Sequence, residues 1–117
     1  MKLEIYRCNV CGNIVNMLTK GGGTLVCCGK PMQLLEPNST EANPLTHKPV
    51  IENNHVKVGA QTHPMLPAHH IMWLAIKNND ELIFKFLQPD KIINYEIKIG
   101  NVDNVLAYCN IHSLWQK

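Results

Sequence analysis

The sequence predicts an all-β protein in two parts, a small metal-held unit followed by a strand-rich sandwich or small barrel. Three observations carry that expectation. Four of the five cysteines fall in residues 1–36, whereas all six histidines fall in residues 37–117. Short β-branched and apolar runs recur through the second part at spacings of about 8–12 residues, with no long helical pattern. Between the parts, Pro37-Asn38-Ser39-Thr40-Glu41-Ala42-Asn43-Pro44 is polar and bounded by prolines, as a linker is.

The 117 residues leave room for one ordinary domain or two very small ones. A composition of 45% hydrophobic and 17% charged residues excludes a mostly disordered chain. The formal net charge of +2 is too small to indicate nucleic acid or a membrane surface as the main partner. No apolar run approaches the ~18–20 residues of a membrane span. Lys2, Glu4 and Arg7 interrupt the stretch a secretory signal would need, so the expected compartment is the cytoplasm. In that reducing setting, clustered thiols hold metal or do redox work more often than they form a disulfide framework.

In the first unit, strands are expected at Lys2–Arg7, Asn13–Leu18 and Thr24–Val26, with Gly21, Gly22 and Gly23 as a turn before the last. A unit of 36 residues lies below the ~40 at which a hydrophobic core alone holds a fold, and its cysteines are the only staple available. In the second part, Pro49–Ile51 and His55–Val58 flank the polar turn Glu52-Asn53-Asn54. Further strands are expected at Ile71–Ile76, Leu82–Leu87, Ile92–Ile99 and Val102–Tyr108. Ile93, Tyr95, Ile97 and Ile99 recur at period two.

Cys8-Asn9-Val10-Cys11, then Cys27-Cys28, supply four thiols within twenty-one positions. A C-x-x-C knuckle turns tightly enough for both thiolates to reach one ion, and Gly12 follows it. The vicinal pair is unusual, because strand neighbours face opposite ways and must be distorted to share a metal; Gly29 supplies the freedom. Thiolates alone leave zinc, iron and iron–sulfur clusters open, with a redox disulfide as the non-metal reading. Tyr6-Arg7-Cys8-Asn9-Val10-Cys11-Gly12, Gly21-Gly22-Gly23-Thr24-Leu25-Val26-Cys27-Cys28-Gly29 and Met32 together resemble the desulforedoxin-type domain that opens desulfoferrodoxins. The resemblance covers nearly all of residues 1–36 and implies a rubredoxin-like iron held by Cys8, Cys11, Cys27 and Cys28.

In the second part, Cys109-Asn110-Ile111-His112 is a C-x-x-H unit, and His47, His63-Pro64-Met65 and His69-His70 lie upstream. A thiolate with several imidazoles suits iron, copper or zinc. Taken singly, each histidine is more often structural than metal-bound. His55, beside Asn53 and Asn54, is expected in an exposed turn, and periodicity does not choose between His69 and His70. Thr46-His47-Lys48-Pro49-Val50-Ile51-Glu52, Val58-Gly59 through His63-Pro64-Met65, His69 with Ile71 and Trp73, and Tyr108-Cys109-Asn110-Ile111-His112 are similar to the catalytic domain of desulfoferrodoxins and neelaredoxins. That similarity implies an immunoglobulin-like β-sandwich over residues 37–117. It also implies a second mononuclear non-haem iron with imidazoles from His47, His63, His69 and His112 and an axial thiolate from Cys109; His55 and His70 gain no ligand role.

The implied activity is one-electron reduction of superoxide to hydrogen peroxide, with a rubredoxin-type electron donor and a homodimer. One departure stands out. Family members commonly carry Glu-Lys before the first ligand histidine, where this chain has Leu45 and Thr46. Leu45 cannot coordinate, which leaves a sixth position open, and Lys48 becomes the candidate for attracting superoxide. Two other readings stay open on sequence alone, an electron-transfer protein and a zinc-bound structural module.

Overall fold

The computed structural model describes residues 3–78, 80–91, 93, 95–96 and 102–117. The chain forms two compact units, Met1–Glu36 and Pro37–Lys117.

In the first unit, β1 (Ile5–Arg7) is the middle strand of an antiparallel sheet, between β2 (Ile14–Asn16) and β5 (Gln33–Leu34). A separate hairpin joins β3 (Val26–Cys27) to β4 (Lys30–Pro31) through Cys28 and Gly29. Both turn residues have positive φ, 53° and 73°, the pattern of a tight two-residue hairpin turn. This is the distortion that vicinal cysteines require, and Cys28 itself shares it with Gly29. The expected strands at Asn13–Leu18 and Thr24–Val26 are shorter or shifted, and β4 and β5 were not legible. Two-residue strands fall below the length at which periodicity speaks. Ile5, Cys8 and Leu35 are the buried apolar residues here among those described, a core too small to hold a fold by itself.

The second unit packs two sheets face to face. One has the order β10-β7-β6, from β6 (Pro49–Glu52), β7 (His55–Val58) and β10 (Tyr95–Glu96). The other has the order β12-β11-β8-β9, from β8 (Ile71–Asn78), β9 (Glu81–Phe86), β11 (Val102–Cys109) and β12 (Ser113–Gln116). Val56 and Val58 from the first sheet meet Ile71, Leu74, Ile76, Val105, Ala107 and Cys109 from the second. Alternation along β7 explains its part: Val56 and Val58 point inward while Lys57 is exposed. β8 is buried on both faces, with Trp73 stacked on Tyr108 at 5.4 Å on the side away from the core. Truncating a core residue such as Leu74 to alanine should cost about 2–5 kcal/mol.

Three sequence expectations change here. The second part is not β throughout, because Pro44–His47 forms one helical turn, α1. Asn43 caps it through its side chain, which accepts the Leu45 N–H at 3.0 Å, and Pro44 occupies the first turn, a pairing that reads as a helix start as readily as a linker end. The stretch taken as a linker is also anchored. The Asn38 N–H donates to Leu114 O at 2.9 Å and its Oδ1 accepts the Gln116 N–H at 2.9 Å. His55 opens β7 and is half-buried rather than exposed in a turn; the turn is Asn53-Asn54 alone, both at positive φ. Strand β12 went unread. Of the expected strands, Lys2 and most of Ile92–Ile99 lie outside the described residues.

Candidate metal centres

The first cluster gathers Cys8, Cys11, Cys27 and Cys28. Cys8 follows strand β1 and starts the knuckle: its carbonyl accepts the Gly12 N–H at 2.9 Å, and its sulfur accepts the Cys11 N–H at 3.5 Å. Gly12 takes φ 83°, which permits that tight return. From the other hairpin, Cys27 Sγ lies 3.6 Å from Cys11 Sγ and 3.9 Å from Cys28 Sγ. A tetrahedron with bonds of ~2.3 Å has edges of ~3.8 Å, so the spacing already suits one ion bound by thiolates. Asn13 Nδ2 donates to Cys27 Sγ at 3.7 Å. The Cys11 N–H draws the Cys8 thiol down to about 6. Neighbouring thiols, Cys11 first, push Cys28 up to about 12 and raise Cys27. Four thiolates this close therefore require a cation to neutralise them.

The second cluster gathers His47, His63, His69 and Cys109, with His112 at its rim. Each comes from a different local device. His47 is the last residue of α1, and His63 follows β7 in a loop held by its N–H to Val58 O at 3.2 Å. His69 closes a small bridge with Leu66 just before β8. Cys109 ends β11, where a register shift after Tyr108 pairs it with Ile71 and turns its sulfur into the core. His112 stands in the loop from β11 to β12, with its carbonyl accepting the Trp115 indole N–H at 3.0 Å.

The four imidazoles form a closed circuit. Ring centroids are 4.5 Å apart for His47–His63, 4.8 Å for His63–His69, 5.1 Å for His69–His112 and 4.8 Å for His112–His47. Each of these pairs meets edge to face, while His47 and His69 sit across the circuit at 6.1 Å and 31°. Outward nitrogens are tied to carbonyls. His47 Nδ1 lies 2.9 Å from Asn43 O, and His63 Nδ1 lies 2.7 Å from Pro64 O. As Nδ1–H donors, both rings leave Nε2 bare and aimed inward.

Two of the inward nitrogens, His63 Nε2 and His69 Nε2, are buried with no hydrogen-bond partner. A third, His47 Nε2, faces His112 Nδ1 at 3.0 Å, about the separation of adjacent nitrogens on one ion with ~2.1 Å bonds. Buried lone pairs without donors are costly unless something electropositive satisfies them. The residues therefore fit a metal ion. Cys109 Sγ lies 3.9 Å from His112 Nδ1 and within 4.8 Å of the ligand nitrogens of His47, His63 and His69. Burial, opposed by the Pro64 carbonyl, lowers His63 to about 4, and burial likewise lowers His47 and His69. Neutral imidazoles at neutral pH are the form that binds metal.

His70 points elsewhere, with its Nδ1 3.1 Å from Leu66 O, and His55 joins neither cluster. Leu45 is half-exposed and offers no donor atom. Lys48 is exposed and lines a groove of about 370 Å³ with Leu45, Ala60 and Lys117, among others. Sequence reasoning missed the supporting residues. Asn110 ties two donor-bearing loops together: its Oδ1 accepts the His70 N–H at 2.9 Å, and its Nδ2 donates to Ala68 O at 3.0 Å. Trp115 packs 5.0 Å from His47. Their place inside or just after the C-x-x-H unit was the available signal.

Comparison with known proteins agrees with both clusters. The family model for the desulfoferrodoxin N-terminal domain matches residues 1–35, and the desulfoferrodoxin model matches residues 39–117. A desulfoferrodoxin of Syntrophotalea carbinolica is 44% identical over 97% of this chain and 94% of its own length. A desulfoferrodoxin homolog of Methanothermobacter thermautotrophicus is 42% identical over 96% of this chain and 95% of its own. The fold is similar to that of the superoxide reductase from Treponema pallidum, with a TM-score of 0.80 over 100% of this chain and 99% of that one, at 23% identity. The matched models span both cysteine- and histidine-bearing units, and the chain belongs to the desulfoferrodoxin family.

Proposed function

We propose that this chain is a superoxide reductase with two mononuclear non-haem irons. In this reading Cys8, Cys11, Cys27 and Cys28 hold the first iron, and His47, His63, His69, His112 and Cys109 hold the second. The observation that carries it is the set of bare, buried imidazole nitrogens turned toward one another beside Cys109. Five protein donors leave one coordination position free, as a catalytic metal needs. Superoxide takes one electron and two protons to become hydrogen peroxide, and a ferrous ion held by these five residues would supply that electron.

The chain's own residues do the rest. Cys109 is 0% exposed and lies in the core, whereas His69 and His112 are half-buried, so the cluster meets solvent on the side away from the sulfur. Carbonyls of Asn43 and Pro64 hold two rings in the tautomer that presents Nε2. Buried Cys109 would hold the metal from the interior side as an electron-rich thiolate donor. Exposed Lys48, next to His47, adds positive potential where a small anion arrives.

The first iron is structural, because its unit has too little core to stand without it. Electrons come from a rubredoxin-type donor, and the protein works as a cytoplasmic homodimer. No helix of the described residues is long and apolar enough to cross a membrane.

The test is anaerobic mixing of the fully ferrous protein with a superoxide pulse. Peroxide formation with oxidation of the histidine–cysteine centre and no dioxygen is the expected result. Stoichiometric dioxygen would mean dismutation, and an unreacted centre would leave an electron-transfer or structural protein.

A further inference from the structure

Thr46 stands where the family resemblance leads one to expect a lysine, and its hydroxyl has a specific neighbour. Thr46 Oγ1 lies 2.8 Å from His47 Nδ1 and 3.0 Å from Asn43 O. His47 Nδ1 also lies 2.9 Å from Asn43 O. The three atoms form a closed triangle behind a ring that is 4% exposed. Only one proton arrangement satisfies all three contacts with Nε2 bare: the hydroxyl donates to the carbonyl, and Nδ1–H is shared between the carbonyl and Oγ1. With a proton on Nε2 instead, the Nδ1 lone pair would face the carbonyl lone pairs at 2.9 Å.

We propose that Thr46 is a positioning residue of the second centre, its hydroxyl and the Asn43 carbonyl together holding the His47 imidazole in the tautomer and plane that aim Nε2 into the donor cluster. One acceptor alone lets the ring pivot about a single hydrogen bond; a second acceptor in another direction stops the pivot. Two acceptors on Nδ1–H also raise electron density at Nε2, strengthening it as a donor. The proposal rests on the metal reading of this cluster.

The test compares Thr46→Val, which keeps the branched shape without the hydroxyl, with Thr46→Ser, which keeps the hydroxyl. Ferrous iron alone is the probe, measured by competition with a chelator, and the amide dispersion of β8 and β11 reports folding of the second unit in the same chain. Thr46→Val should bind iron at the second centre about tenfold more weakly. It should also raise that centre's reduction potential and shift its thiolate-to-ferric band, while Thr46→Ser stays within about twofold of the parent. If Thr46→Val does not fold, Thr46→Ala carries the same comparison. Unchanged affinity and potential without the hydroxyl, or an equal loss in Thr46→Ser, would overturn the proposal, since a residue that merely tightens α1 moves stability and leaves the potential alone. A parent chain that takes up no iron beyond the four-cysteine centre would overturn the metal reading itself.

Discussion

His47 Nε2 and His112 Nδ1 face each other across 3.0 Å although 65 positions separate them in the chain. One ring hangs from α1, the other from the loop after β11, and Trp115 touches the first ring while bracing the backbone of the second. The contact supports the proposed place of His112 in the donor set, at the rim of the cluster. Replacing His112 with alanine should lower bound iron from about two per chain toward one, by emptying this centre alone. Metal analysis together with an unchanged four-cysteine spectrum checks it; retention of both irons would remove His112 from the ligand set.

The same burial that bares the imidazoles makes the metal-free protein sensitive to acid. His63 stays neutral in the folded chain down to about pH 4, and His47 and His69 are shifted the same way. An unfolded histidine takes up its proton near ~6.5. Below that value the unfolded state binds more protons, so stability rises with pH across this window. The contribution is fully present above pH ~6.5 and is lost as pH falls toward 4. Thermal melts of the apo second unit at stepped pH should fall across that interval; replacing His63 with glutamine should flatten the slope.

Chelation should act on the two units differently. Around the four cysteines only Ile5, Cys8 and Leu35 are buried among the described apolar residues, whereas the second unit closes a two-sheet core. Stripping both metals should collapse the amide dispersion of residues in the first unit and leave that of β8 and β11 intact. Two-dimensional NMR reads both at once, and a first unit that keeps its dispersion without metal would contradict the structural role given to its iron.

Gly59, just after β7, packs its backbone against α1 at the start of the loop carrying His63. It takes φ 67°, and a Cβ there would overlap the Leu45 carbonyl and the Thr46 backbone. The Gln61 N–H donates to that same carbonyl at 2.8 Å. Alanine at this position costs about 1–2 kcal/mol from the backbone conformation alone. It must also push α1 aside, moving His47 relative to His63. The expected outcome of Gly59→Ala is a lowered melting temperature together with weaker iron binding at the second centre; full iron affinity would mean that α1 yields without shifting His47.

What could be read from the chain beforehand followed from physical scale. The cysteines were legible because C-x-x-C and a vicinal pair are local patterns with few other uses, and the strands β7, β8 and β11 because they are four to eight residues long and rich in β-branched or apolar residues. The convergence of His47, His63 and His69 was reached through resemblance to a family, since no local period links a helix end, a loop and a strand entrance. Thr46 and the Asn43 carbonyl were invisible, and only its place inside the C-x-x-H unit pointed to Asn110: their work depends on hydrogen-bond directions that arise only after the turns have closed. The helical turn α1 was masked by a composition that serves a linker equally well.

Lys48 is the remaining question about substrate capture. It is exposed and lines the groove beside α1 with Leu45, and in the proposed function its charge adds to the potential met by an arriving anion. Lys57→Ala is the charge-matched comparison: its ammonium lies 3.3 Å from Glu52 Oε2, and removing it takes away the same unit of positive charge. At an ionic strength of ~0.01 M, where the screening length is ~30 Å, Lys48→Ala should slow the second-order reaction with superoxide by about threefold. At ~0.15 M the screening length falls to ~8 Å and the difference should shrink, so the variant shows the shallower salt dependence. Slowing confined to Lys48→Ala marks local steering, and equal slowing in both variants marks net charge alone. Pulse radiolysis over a salt series measures all three proteins, and a Lys48→Ala rate that tracks the parent at every salt concentration would take Lys48 out of the mechanism and leave substrate approach to the uncharged open face.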